Sequence, residues 1–188
     1  MARSLVGKLL VASPILEDSN FVRTVVLICT HDDGGTFGLV LNRPLAASVN
    51  DYLPAWSGPL ADPAVVFNGG PVDVSSAFGL ARGKVTDAAL WLSPPLEGEG
   101  GSVGMVDLDR VDDLRTSGVE EFRIFSGYAG WDGGQLQGEL LGESWFVVDA
   151  LPSDAFTADP SRLWHEVLRR QQGDLAMFGF YPDDPRVN

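Results

Sequence analysis

Soft and titrating side chains are scarce in this sequence, which holds one cysteine, Cys29, and two histidines, His31 and His165. A single thiol excludes an intramolecular disulfide, so the chain reads as a protein of the reducing cytosol. Basic residues are few as well. The 13 Lys and Arg face 26 Asp and Glu, a net charge of −13. Such a field repels phosphate backbones and anionic lipid, which disfavours direct nucleic-acid binding. The only basic cluster is Arg162, Arg169 and Arg170. Long apolar runs are missing too. Leu9–Ala12 is bounded by Lys8 and by Ser13-Pro14, too short for the apolar region of a signal peptide. No stretch approaches the roughly 18 apolar residues of a membrane span. A soluble cytoplasmic protein without membrane contact is the expectation. The sequence also lacks a G-x-G-x-x-G or Walker pattern, an internal repeat and a long low-complexity tract.

What is present suits one domain over residues 1–188, with 45% hydrophobic residues for a core. Strand-like runs are numerous: Lys8–Ala12, Thr24–Thr30, Thr36–Asn42, Ala64–Phe67, Ser76–Leu80, Ala89–Leu92, Gly104–Val106, Glu121–Phe125 and Trp145–Asp149. The uninterrupted apolar Val25–Cys29 predicts a strand covered on both faces. His31–Gly35 predicts a hairpin loop of about five residues. Residues 93–102, rich in Pro, Gly and Glu, predict a flexible surface loop.

Helix signals are fewer. Ser48 is a cap for a short helix through Tyr52, and Leu108–Thr116 is helical up to Gly118. Asp132 precedes a helix with Gln135 at its third position, a capping-box-like arrangement. Asp159-Pro160 opens a last helix with Leu163, Trp164, Val167 and Leu168 on one stripe and an expected Glu166–Arg170 pair on the other side. Strands with interspersed helices, lacking a regular βαβ rhythm, argue for an α+β fold.

The segment Phe125–Leu140 is the densest in information, combining Tyr128, Trp131 and five glycines with a polar helix start. It joins Gly7–Phe21, Gly38-Leu-Val-Leu-Asn-Arg-Pro44, Asn68-Gly-Gly-Pro-Val72 and the terminal Pro182–Asn188 in one ordered set of motifs. With these motifs nearly the whole chain resembles the YqgE/AlgH family of bacterial proteins. The resemblance implies an α+β domain of coiled, bifurcated, mostly antiparallel sheets with peripheral helices. It carries no settled enzymatic activity, although one branch is named for a proposed role in regulating alginate production. Many members have a histidine a few residues after Gly-Gly-Pro-Val, where this chain has Ala81.

Chemistry-bearing constellations are thin. His31 beside Asp32 and Asp33 would supply two or three weak ligands, short of a closed metal site, and His165 reads as a solvated surface residue. Gly100-Gly-Ser-Val-Gly104 matches G-x-S-x-G, but a nucleophile elbow needs a strand before the serine and a helix after it. Cys29 sits in an apolar run and reads as inert core filler. No catalytic residue, metal or cofactor is therefore expected. Three polar–glycine segments remain. Asn42-Arg43-Pro44 ends a strand, with Arg43 free for an anion or an internal salt bridge. Gly69-Gly70-Pro71 makes either a tight turn or a close approach to another group. Tyr128 and Trp131 serve as binding anchors or as core plugs, with Gln135 and Glu139 one helical turn apart beside them.

Together these ten residues form a candidate shallow recognition surface, conditional on the three segments meeting in the fold. The sequence favours a non-enzymatic binding or regulatory protein whose partner is a protein or a small ligand. The alternatives are a regulator that contacts DNA directly and a hydrolase.

Overall fold

The computed structural model describes residues 4–93, 95–98 and 101–183. Its framework is one nine-stranded sheet in the order β4-β5-β8-β3-β2-β1-β9, with β6 on the other edge of β8 and β7 beyond β6. The strands are β1 (Lys8–Ala12), β2 (Val25–Asp32), β3 (Gly35–Val40), β4 (Pro44–Ser48), β5 (Val65–Asn68), β6 (Val72–Gly83), β7 (Ser102–Val106), β8 (Val119–Asp132) and β9 (Trp145–Asp149). All pairings are antiparallel except β5 with β8. The 14-residue β8 is the spine. One of its edges carries β6, and the other is shared by β5 near Phe125 and by β3 from Ala129 onward. This is the α+β class that the strand and helix pattern implied, with the bifurcated, mostly antiparallel sheet that the family resemblance implied.

Period-2 alternation explains why β1 and β2 are apolar throughout. Leu9, Val11, Val25, Leu27 and Cys29 enter one cluster, and Leu10, Ala12, Val26 and Ile28 enter another on the opposite face. Helix α4 (Leu163–Arg169) covers the first face through Leu163, Trp164, Val167 and Leu168. The Trp164 indole donates to the Ala12 carbonyl at 2.8 Å, so the helix is pinned as well as packed. Helix α3 (Gln135–Leu141) covers the second face through Leu136. Under β6–β8, helices α1 (Val49–Tyr52) and α2 (Val111–Thr116) close a third cluster around Phe122 and Ile124. Ala81 lies in this cluster with no exposed surface.

Several local expectations are corrected. Ala89–Leu92 is no strand: Asp87 caps a 3₁₀ turn over Ala88–Leu90 by accepting from the Ala89 N–H at 2.9 Å, and its hydrogen bond outweighs the apolar run. The hairpin turn between β2 and β3 is two residues, Asp33-Gly34, because Asp32 accepts from the amides of Gly34 and Gly35. Strands β6 and β8 are far longer than Ser76–Leu80 and Glu121–Phe125, since glycines that punctuate turns elsewhere sit here inside the sheet. Pro44 opens an unexpected edge strand, where its missing N–H is harmless. Leu108–Thr116 divides into a 3₁₀ turn and α2. Helix α3 starts at Gln135 with Gly134, not Asp132, as its cap, although the Gln135 side chain still accepts from the Asp132 N–H. Arg170 pairs with Asp154 and not with Glu166, which faces Arg162 at 3.6 Å. Helix α5 (Asp174–Phe178) was not foreseen. In the 93–102 segment Leu96 bridges to Val103 and packs on the core, while residues 94, 99 and 100 lie outside the described residues.

Candidate functional site

The three candidate segments do meet, but mostly through their backbones. The Asn42 side chain accepts from the Val25 N–H at 3.0 Å and donates to the Arg23 carbonyl at 2.9 Å, tying the end of β3 to the start of β2. Arg43 donates to the Val22 carbonyl at 2.7 Å, and its own carbonyl accepts from the Asn68 N–H at 2.7 Å. Its expected salt bridge is not formed among the described residues, because a main-chain oxygen lies nearer than any carboxylate. Pro44 on β4 pairs with Phe67 on β5.

Gly69 bonds to Ser126 through its N–H and to Val40 through its carbonyl, so residues 68–70 are threaded between β3 and β8. A Cβ on Gly69 would stand 2.3 Å from the Gly127 oxygen, and one on Gly70, at φ 151°, would stand 2.1 Å from the Tyr128 carbonyl carbon. Here the glycines serve close approach of backbone to backbone, and both are buried. Pro71 alone of this segment is exposed.

The aromatic anchors divide between core and surface. Trp131 is buried, and its indole N–H donates to Glu139 Oε2 at 2.9 Å; the Trp145 indole donates to the same oxygen at 2.8 Å. Gln135 donates to Glu139 Oε1 at 3.1 Å. Phe21 stacks on Trp131 and meets Trp145 edge-on. Glu139 thus fastens α3 to β8 and β9, which makes it, Gln135 and Trp131 parts of the scaffold. Tyr128 is half-buried and stacks on Phe37 with centroids 4.6 Å apart; Phe78 closes the triangle.

Beside Tyr128 a groove of about 360 Å³ opens between the β2–β3 hairpin and the end of β8. Thr30, Phe37, Val72 and Tyr128 line it, and among the described residues Asp32 and Asp132 supply its charges. One wall ends in a bulge. Val72 pairs with Tyr128 and Ala77 with Ser126, so residues 73–76 loop out opposite Gly127 alone. Asp73 takes φ 46° and its carboxylate accepts from the hydroxyls of Ser75 and Ser76. The Ser126 hydroxyl donates to the Val74 carbonyl, holding the bulge while the Val74 side chain stays 60% exposed. A bulge beside a groove re-aims side chains outward. Sequence reasoning missed Phe37, Asp132 and the bulge; the exposed alternation of Val72, Asp73, Val74 and Ser75 was the available signal.

The remaining chemical candidates lie elsewhere. His31 Nδ1 lies 2.7 Å from Thr36 Oγ1 across the hairpin. Ser102 opens β7 and donates to Glu97, with a strand following it where an elbow needs a helix. Gly100 of that motif is outside the described residues. Burial pushes the Cys29 thiol up to about 12, which leaves it without thiolate. His165 is not solvated as expected: its Nδ1 is 3.0 Å from the Gly179 carbonyl and its Nε2 is 2.6 Å from Asp183 Oδ1. Among the described residues no three His, Cys, Asp or Glu are grouped to hold a metal ion. No helix there is long and apolar enough to cross a membrane.

Comparison with known proteins agrees with this geometry. The chain is 49% identical to a UPF0301 protein of Streptomyces coelicolor over 187 residues, covering 98% of this chain and 96% of that one. It is 40% identical to a UPF0301 protein of Thermobifida fusca at the same coverages. Among solved structures it is similar to protein DIP2367 of Corynebacterium diphtheriae, with TM-score 0.80, 30% identity, and 92% and 90% of the two chains covered. The solution structure of AlgH from Pseudomonas aeruginosa matches with TM-score 0.66 and 26% identity over 98% and 97% of the two chains. The AlgH-like family model matches residues 9–176, a span that runs from β1 to α5 and includes the threaded glycines, the bulge and the groove, and the chain belongs to that family.

Proposed function

We propose that this protein acts in the cytoplasm by binding, in a regulatory role, and not by covalent chemistry, with the groove beside Tyr128 as its contact surface for a protein partner. The observation that carries this reading is the bulge at residues 73–76, held in an unusual backbone conformation with Val74 exposed two residues from Val72, which lines the groove with Phe37 and Tyr128. A non-glycine residue at positive φ costs of order 1 kcal/mol or more. The acidic rim, Asp32 and Asp132, favours a basic, partly apolar segment over nucleic acid, whose phosphates the −13 charge repels.

A photoreactive residue placed at position 74 tests the proposal in cells. The expected result is a discrete, basic cross-linked protein, absent when the probe is moved to Met177 on α5 and lost with Asp132→Lys. Equal labelling from both positions would reject it. So would competitor-resistant binding to DNA at low salt, which would favour a regulator acting on DNA directly. Turnover of any compound abolished by Ser102→Ala or His31→Ala would favour an enzyme.

A further inference from the structure

A second cleft lies away from the groove, and its walls come from three distant parts of the chain. Arg82 on β6 and Glu121 on β8 are cross-strand partners and form an ion pair. The 3₁₀ turn Pro152–Phe156 and helix α4 stand over them, leaving a cleft of about 360 Å³, within the range of small-molecule sites. Phe156 and Leu163 give it an apolar lining, and Glu166 and Arg170 approach from α4.

Two of the arginines gathered here hold the walls together, although the enclosed Nε of Arg123 has no acceptor. Arg123, 1% exposed, donates to the carbonyls of Ala155, Thr157 and Asp62 and lies over the Phe67 ring. Burial pulls it down to about 10, opposed by the charges of Glu121 and Asp62. Arg170 forms a two-pronged pair with the buried Asp154, both contacts at 2.6 Å, and reaches the Asp149 carbonyl. These two fix the walls. Arg82 is different. Its Nη2 meets Glu121, but its enclosed Nε has no acceptor, and its Nη1 has none among the described residues. The Ser153 hydroxyl on the same cleft also lacks a partner there. Unused guanidinium N–H groups call for an acceptor of the carboxylate kind, where charge-assisted bonds are strongest. Beside them stand Glu121, one of whose oxygens already belongs to Arg82, and Glu166, held only loosely by Arg162 at 3.6 Å, and the carboxylate oxygens left over call for a cation. An acceptor for Arg82, a cation for the two glutamates and an apolar body for Phe156 and Leu163 describe one molecule.

We propose that this cleft binds a small zwitterion of the amino-acid class with an apolar side chain, its carboxylate on Arg82 and its ammonium between Glu121 and Glu166. Calorimetric titration of the full chain with leucine and phenylalanine tests it, against 4-methylvalerate, isoamylamine and inorganic phosphate. The expected result is saturable one-to-one binding of an amino acid, at least about tenfold tighter than 4-methylvalerate or isoamylamine, since each lost charged contact costs about 1.4 kcal/mol or more. Arg82→Gln should weaken binding at least about tenfold, with Arg82→Lys retaining part of the affinity. Glu166→Gln, at an exposed position, should weaken it with an unchanged melting midpoint, which keeps the test informative if Arg82 variants unfold. Three outcomes would overturn the proposal: no binding of either amino acid below about 10 mM, phosphate or 4-methylvalerate binding as tightly, or unchanged affinity in Glu166→Gln.

Discussion

The threaded glycines and the groove share strand β8 and use it in opposite ways. At Gly127–Tyr128 the strand offers backbone, and Gly69-Gly70 lies so close that a single Cβ would collide with it. From Tyr128 to Asp132 the same strand offers side chains to an open groove. The difference teaches that the densest motif marks where the chain must pass closest to itself. On the proposed reading a partner would meet the bulge and groove next to it, whose residues 73–76 lie outside the motifs.

The comparison breaks most easily at Gly70. Gly70→Ala puts a methyl group within 2.1 Å of the Tyr128 carbonyl carbon at φ 151°. The expected loss exceeds about 4 kcal/mol, a fall in Tm of roughly 8–16 °C for a domain of this size, or failure to yield soluble protein. Near-normal melting would mean that the junction is looser than described. Glu139→Ala is next. It leaves two indole N–H groups without their acceptor, at a cost of about 2–3 kcal/mol. Glu139→Gln, which still accepts, should lose less, and near-ultraviolet circular dichroism of the tryptophans should report both.

A smaller, pH-dependent effect is expected at Cys29. Its folded pKa of about 12 lies above the ordinary 9.0 because burial disfavours the thiolate. The folded state therefore holds the proton longer than the unfolded one. The contribution to stability is complete below pH 9 and declines as pH rises from 9 toward 12. Urea midpoints of the wild type and Cys29→Ala measured across pH 8–11 should converge with rising pH if this is right. The smallest effect on stability belongs to the groove itself. Val74→Asp and Asp132→Lys alter exposed side chains and should change stability by no more than about 0.5 kcal/mol, while abolishing partner capture.

Much of the fold was legible because its signals are local. The doubly apolar Val25–Cys29 and the Ser48 cap depend on neighbours in sequence and appear where expected, while Asp159-Pro160 opens a 3₁₀ turn, without a side-chain cap, that leads into α4 at Leu163. The length of β8 was not legible, because Gly127 and Gly130 read as breaks until a neighbouring strand is known. The three candidate segments meet, but mostly through their backbones. Asn42, Gly69, Trp131 and Glu139 are taken up by internal hydrogen bonds such as Gly69 with Ser126, more than 50 residues apart in sequence. Arg82 and Glu121 could not be joined to Phe156 and Leu163 before the sheet register and the position of α4 were known.

The most direct test of the division between scaffold and groove is a two-dimensional amide NMR titration of the full chain with a synthetic ten-residue alternating Lys-Val peptide at physiological salt. The account predicts shifts confined to Thr30–Phe37, Val72–Ala77 and Tyr128–Asp132, absent in Asp132→Lys, with Gly69 and Gly70 moving only as buried neighbours. Shifts spread over the whole acidic surface, or centred on α4 with the groove unchanged, would contradict it.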